Sequence, residues 1–124
     1  AEAVAAFCRT PLYGRLCEAT KVWREVPFTC GLAAGDVYPA LRETGQGDTV
    51  MIQGVIDCLF ADANGLVLID YKTDNLQGGP AAQAAEKHRF QVEQYSEAIG
   101  RIVGREVVEA YVYFFDGGEA VRLI

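Results

Sequence analysis

Apolar and polar residues recur along this chain with two periods, and the switch between them predicts its elements. Residues 2–22 carry Val4, Phe7, Cys8, Leu12, Leu16 and Ala19 at three- and four-residue spacing, the period of a helix face, with Pro11 interrupting the run. In Val22-Trp23-Arg24-Glu25-Val26-Pro27-Phe28 apolar and charged residues interleave, which predicts a strand. Pro27 has no amide hydrogen to donate and suits a sheet edge. Residues 31–48 are rich in Gly, Asp and Thr with little periodicity and predict a loop, with a short turn of helix around 37–41.

Two β-rich runs, 50–60 and 66–72, flank Ala61-Asp62-Ala63-Asn64-Gly65. Asn-Gly between apolar runs is a strong hairpin signal, because both residues accept positive φ. After a turn-prone stretch at 76–80, residues 81–103 predict one long amphipathic helix. Ala84, Ala85, His88, Val92, Tyr95, Ala98, Ile99 and Ile102 form its stripe, and Gly104 stands where a C-terminal glycine would end it. Two further strands, 107–115 and 120–124, surround Asp116-Gly117-Gly118. The order is α-β-β-β-α-β-β, a mixed α/β (α+β) pattern with no internal repeat. A strand, a long helix and another strand predict a right-handed crossover that brings 107–115 into the same sheet.

At 124 residues the chain has the length of one domain, and with 51% apolar residues it is too hydrophobic for intrinsic disorder. No stretch approaches the roughly 20 apolar residues that span a bilayer. The chain opens on Ala1-Glu2-Ala3-Val4, without a signal sequence or an initiator Met, and closes on Leu123-Ile124 inside an apolar run; both ends read as cuts from a larger protein. The formal net charge of −6 argues against a freestanding DNA-binding module, which is normally basic, but not against a carboxylate metal site. Cys8, Cys17, Cys30 and Cys58 include no C-x₂-C pair, so zinc and iron–sulfur sites find no support; reduced, packed thiols are expected.

The candidate chemistry lies inside the central hairpin. Asp57 interrupts the apolar run Val55–Leu59, and Asp70 and Lys72 close the run that begins at Leu66. Charges in such strands cost several kcal/mol unless they are paired or bind a cation. A two-residue hairpin loop would set Asp57 opposite Lys72, and a four-residue loop, 62–65, would set Asp57 opposite Asp70. Either even-length loop leaves Asp57, Asp70 and Lys72 on one face, since side chains alternate with period two; a bulge would break that inference. Two facing carboxylates with oxygen-only chemistry suit Mg²⁺, with Mn²⁺ as a substitute, and a neighbouring lysine would neutralise charge on a phosphate. An Asp57–Lys72 cross-strand ion pair with Asp70 solvated fits the same spacing, and geometry leaves the two open.

Gly54-Val55-Ile56-Asp57, Leu68-Ile69-Asp70-Tyr71-Lys72-Thr73 and Gln91-x-x-x-Tyr95 resemble, in order and spacing, the three motifs of RecB-type nucleases of the PD-(D/E)XK superfamily. With the segment from Glu25 to Phe28 and Tyr111-Val112-Tyr113-Phe114-Phe115-Asp116-Gly117, the chain is similar over nearly its whole length to the C-terminal nuclease domain of AddA-type helicase–nuclease subunits. The resemblance implies a restriction-endonuclease-like core, a mixed sheet flanked by helices, as a single domain over 1–124. It implies metal ligation by Asp57, Asp70 and the Tyr71 carbonyl, and Lys72 as the catalytic lysine. Gln91 and Tyr95 would orient the site or touch DNA. Such nucleases usually add a histidine from a helix upstream of the first strand. None precedes the strands here, so either that ligand lies before Ala1 or the site works without it. His88, on the later helix, reads as a structural histidine, and Glu25 as a structural charge.

Lys72, Lys87, Arg89, Arg101 and Arg105 predict a modest basic surface near the site, with Lys87 and Arg89 as candidate DNA contacts. The function implied is a Mg²⁺-dependent exonuclease, cytoplasmic, that hydrolyses single-stranded DNA delivered by the ATP-dependent helicase domains of a parent chain. Its setting would be double-strand break repair by recombination beside an AddB-like partner subunit. The alternatives are a non-catalytic docking or DNA-binding domain with a vestigial site, and a dimeric junction resolvase or restriction-type endonuclease.

Overall fold

The computed structural model describes residues 2–44 and 47–124. Its centre is a mixed five-stranded sheet in which spatial order follows chain order: β1 (Lys21–Ala33), β2 (Thr49–Asp62), β3 (Gly65–Lys72), β4 (Val107–Phe114) and β5 (Glu119–Arg122). All neighbours are antiparallel except β3 and β4, which run parallel from Leu66–Val107 to Lys72–Phe114. Parallel neighbours need a crossover, supplied here by α4 (Ala81–Glu86) and α5 (Arg89–Val103). The mixed α/β sheet with flanking helices is therefore the observed architecture, and β1 lies at an edge as Pro27 requires.

The helical expectations are refined at two places. The run over 2–22 is two helices, α1 (Glu2–Cys8) and α2 (Pro11–Glu18), because Thr10 caps the second. Its hydroxyl accepts from the Tyr13 amide at 3.2 Å and Pro11 occupies the first turn, where its missing N–H costs nothing. The run over 81–103 is also divided. At Lys87 and His88 the backbone tightens to bonds three residues back, Lys87 N–H to Ala84 and His88 N–H to Ala85, before α5 resumes. Gly104 ends α5 in the left-handed conformation, φ +80°, its N–H on the Gly100 carbonyl at 2.9 Å.

The expected loop over 31–48 is partly ordered. β1 continues to Ala33, and α3 (Ala34–Val37) and a 3₁₀ turn (Pro39–Leu41) follow, while positions 45 and 46 fall outside the described residues.

Two apolar layers cover the sheet. On one side α4 and α5 pack Ala85, Val92, Ala98 and Ile99 against Leu59, Leu66, Leu68, Ala110, Val112 and Phe114. On the other, Phe7, Leu12 and Leu16 of α1 and α2 cover Cys58, Phe60, Val67, Ile69 and Tyr113. Leu66 to Ile69 of β3 are all 0–1% exposed, which is the reading expected of a strand covered on both faces. Long-range ion pairs fix α2 to the sheet: Arg15 meets Glu109 at 2.7 Å and Asp62 at 3.0 Å. All four cysteines are free, but only Cys58 is buried, and Cys8 and Cys17 are exposed rather than packed. No described helix is long and apolar enough to cross a membrane.

Candidate active site

The hairpin between β2 and β3 pairs Asp62 with Gly65 and Cys58 with Ile69, so its register continues to Asp57 opposite Asp70. This is the register expected of a turn over 62–65, but Asp62 and Gly65 pair in the ladder and only Ala63 and Asn64 lie in the loop. The Asn64 amide donates to Asp62 Oδ1 at 2.9 Å, and Gly65 takes φ +146°, which only glycine adopts without strain. Beyond Cys58 and Ile69 the ladder stops. β2 runs on with β1, β3 runs on with β4, and Asp57 and Asp70 stand at the fork between them.

The face presented at that fork is not set by simple alternation. In β2, Ile52 and Ile56 pack on the α5 side, and so do Leu59 and Ala61, which have the opposite parity. β1 slips in step: Trp23 packs on that side, then Val26, Phe28 and Cys30. The slip falls at Glu25, with φ +50°, and the rung joining Glu25 to Asp57 is missing from an otherwise continuous ladder. Asp57 thus shares the α5 side with Leu59 through a local irregularity, whereas Asp70 and Lys72 follow Leu66 and Leu68 there by regular alternation. Glu25 itself is exposed and stands at the irregularity as a charge on the edge strand.

The side chains converge. Asp57 Oδ2 accepts the Tyr71 amide at 2.9 Å, where β3 has lost its β2 ladder partner. Asp70 pairs with Lys72 Nζ at 3.1 Å; their side chains are 16% and 23% exposed. Burial first, and then the hydrogen-bonding reach of Asp57, push the Asp70 carboxyl up to about 6 against the pull of the Lys72 ammonium. Lys72 Nζ also donates to Gln91 Oε1 at 3.5 Å, and Gln91 Nε2 reaches the Tyr95 hydroxyl at 3.4 Å. The Tyr95 ring packs edge-on to Phe28, centroids 4.9 Å apart, and lies so close over Gly54 that a Cβ there would overlap its hydroxyl. Gly54, Asp57, Asp70, Lys72, Gln91 and Tyr95 form one continuous row from β2 to α5.

Tyr71 points the other way, into the layer under α1, with its ring 5.3 Å from that of Phe7. Burial, and then the Cys58 thiol beside it, raise its phenol well above the ordinary range, so only its backbone faces the fork. His88 lies outside the row, with Nε2 on Asp74 Oδ2 at 2.9 Å, and this contact holds the Asp74 carboxyl below its usual range.

The expected basic surface is largely neutralised. Arg89 is taken up by Glu86 at 2.7 Å and by the Leu123 carbonyl at 3.0 Å. Arg101 is taken up by Glu97 and Asp36, and Arg105 by the Asp62 carbonyl. Lys87 is exposed at the break between α4 and α5. Sequence reasoning missed the role of Gly54 as the floor under Tyr95, although the glycine opens the first motif.

Two adjacent carboxylates favour a shared proton or a shared cation, and Lys72 alone does not offset the burial and the Asp57 neighbour that raise Asp70. Among the described residues no cluster of three or more His, Cys, Asp or Glu converges. A cation here would complete its shell with backbone carbonyl, water and substrate oxygens, which is how Mg²⁺ is usually held. The donor set fits a hard divalent ion.

The chain matches the PD-(D/E)XK nuclease superfamily over residues 2–122. It is 40% identical over 119 residues to an ATP-dependent helicase/nuclease subunit from Thermoanaerobacter sp. (strain X514), covering 96% of this chain and 10% of that protein. It is 46% identical over 128 residues to the protein of the same name from Geobacillus kaustophilus (strain HTA426), with 98% and 10% covered. The Anoxybacillus flavithermus (strain DSM 21510 / WK1) protein is 45% identical over 124 residues, with 98% and 9% covered. This chain spans about a tenth of the length of these curated relatives.

Proposed function

The chain belongs to the PD-(D/E)XK nuclease superfamily, and from that premise we propose that it hydrolyses phosphodiester bonds of single-stranded DNA with Mg²⁺ as cofactor and Mn²⁺ as a substitute. Its setting is an ATP-dependent helicase–nuclease that processes double-strand breaks for recombination, with an AddB-like partner subunit. The relatives are named as helicase/nuclease subunits, which supports the parent helicase. The observation that carries the proposal is the contact of Asp70 with both Asp57 and Lys72 at the fork.

Asp57, Asp70 and the Tyr71 carbonyl would hold the cation, which when bound polarises phosphate and lowers the pKa of water. The chain's own residues do the rest. The Tyr71 amide orients the Asp57 carboxylate by donating to its Oδ2. Lys72, tethered between Asp70 and Gln91, keeps its ammonium beside the carboxylates, where it neutralises charge developing on the phosphate oxygens. Tyr95, wedged over Gly54 and Phe28, fixes Gln91 and through it the reach of Lys72. Backbone charge rather than base identity is read, so cleavage is sequence-tolerant. Lys87, and Arg89 once released from Glu86 and the Leu123 carbonyl, remain candidate strand contacts.

The test is cleavage of an end-labelled single-stranded oligonucleotide with Mg²⁺ or Mn²⁺, together with calorimetric metal titration. Asp70→Ala should abolish both metal binding and cleavage, and Lys72→Ala should lower the rate by about 10²- to 10³-fold. Undiminished cleavage by both variants ends the proposal. A wild-type protein that binds strand yet shows no carboxylate-dependent metal uptake favours the docking alternative.

A further inference from the structure

Among the exposed apolar side chains of the described residues, Tyr38 and Phe90 meet ring to ring. Their rings stack, centroids 6.0 Å apart and planes 27° from parallel, while the residues remain 47% and 52% exposed. A pair that served only to glue the Tyr38 segment to α5 would gain by being buried; this one keeps about half its surface in water. Met51 and Val55, also exposed, have the β2 parity opposite to Ile52 and Ile56 and belong to the other face of the sheet.

The segment that carries Tyr38 is anchored to the rest of the fold. Ala34 and Val37, at 2% and 3% exposure, anchor the segment before Tyr38, and the Ala34 amide donates to the Asp48 carbonyl at 2.9 Å. Asp36 pairs with Arg101 at 3.4 Å, three turns along α5 from Phe90. Phe90 directly precedes Gln91, which accepts from the Lys72 ammonium, so α5 carries the stack and the catalytic row at successive positions.

We infer that the Tyr38–Phe90 pair is a stacking platform for one base of the single strand whose backbone enters the Asp57–Asp70–Lys72 site. The inference rests on the nuclease reading for the identity of its ligand. Every base has a π-face, so aromatic stacking holds a strand without reading its sequence. That suits a protein whose net charge of −6 and neutralised arginines leave little electrostatic grip on phosphate. The base continues the stack on its open side while the adjoining phosphate meets Lys72.

The test uses the full chain and a thymidine strand carrying the fluorescent base 2-aminopurine at successive positions, in an Asp70→Ala background that leaves the strand uncut. Quenching should appear at one position, persist in Phe90→Trp, and be lost in Phe90→Leu, which keeps apolar bulk but no ring. Strand affinity in Phe90→Leu and Tyr38→Ala should fall roughly five- to a hundredfold, the range of base–aromatic stacking. In the cleavage-competent chain the same variants should raise KM with little change in kcat. Unchanged quenching and affinity in both variants overturn the inference and leave the pair as packing or a protein contact, and absent quenching at every position does the same. Cleavage without quenching rejects the platform alone; quenching in a protein that never cleaves rejects the nuclease reading alone.

Discussion

Replacing Asp70 by Asn should stabilise the metal-free protein above pH 6 and do so progressively less below it. Burial and Asp57 set the Asp70 carboxyl at about 6 in the folded chain, against 3.8 when unfolded. A raised carboxyl favours folding only while protonated. Its contribution is complete below about pH 4 and is lost as pH climbs through 6. At about 1.4 kcal/mol per pH unit, ionising Asp70 costs the folded state roughly 3 kcal/mol at pH 8, an upper limit because solvent reaches part of the group. Asparagine keeps the shape and removes the charge, at the expense of the 3.1 Å Lys72 pair. The assay is urea unfolding of both proteins in EDTA from pH 4 to pH 8. Titrating groups remote from Asp70 cancel in the difference between them, which leaves Asp70 with its neighbours Asp57 and Lys72. The stability of Asp70→Asn relative to the parent should rise by about 2–3 kcal/mol across that range. A difference that is flat with pH, or that falls, refutes the claim that burial and the Asp57 neighbour raise the Asp70 carboxyl.

Gly54→Ala should lower both stability and activity, because its Cβ meets the Tyr95 hydroxyl and ring rather than open space. Overpacking of this kind costs about 1–3 kcal/mol; thermal melting measures it, and adding Tyr95→Phe should recover part of the loss. Glu109→Gln should destabilise by about 1–2 kcal/mol at pH 7, the scale of a hydrogen bond to a charged group. Arg15, then Tyr111, hold the Glu109 carboxyl down to about 2, so its contribution is present above pH 4.5 and fades as pH falls towards 2. Denaturant melts of the two proteins should therefore converge in acid.

Local chemistry made much of this fold legible. Apolar period and turn residues located all five strands, the hairpin turn and the glycine that ends α5. They failed where the decisive contact is distant. Neither residue of the slip at Glu25 and Asp57 is glycine or proline, so nothing in the pattern marks an irregularity there. The faces still agree because both strands slip together. The break at Lys87 and His88 sits beside the His88–Asp74 contact, across fourteen residues that periodicity cannot see. The split between α1 and α2 had a local signal, Thr10 before Pro11, that a cap-centred reading would have used. Isolated basic residues read as a surface for DNA because sequence does not reveal that Glu86, Glu97, Asp36 and the Asp62 carbonyl already engage three of them.

A strand buried on both faces is the worst place for two acids, yet β3 carries one of them and β2 the other. The topology resolves the conflict. From Leu66 to Ile69, β3 is paired on both edges and covered on both faces, so backbone groups are satisfied and apolar burial is complete. At Asp70 the β2 edge is lost while the parallel β4 edge continues to Lys72 and Phe114, which leaves one side of the strand open. The amide exposed by the departure of β2, that of Tyr71, is taken by Asp57, so one acid repairs the ladder as it enters the site. The cost of burying a second acid beside it then falls on Asp70, whose carboxyl is raised by burial first and by Asp57 next, and a bound cation would offset it. Ordering β3 up to the fork and leaving its charge unsettled beyond it ties the stability of this end of the sheet to occupancy of the site.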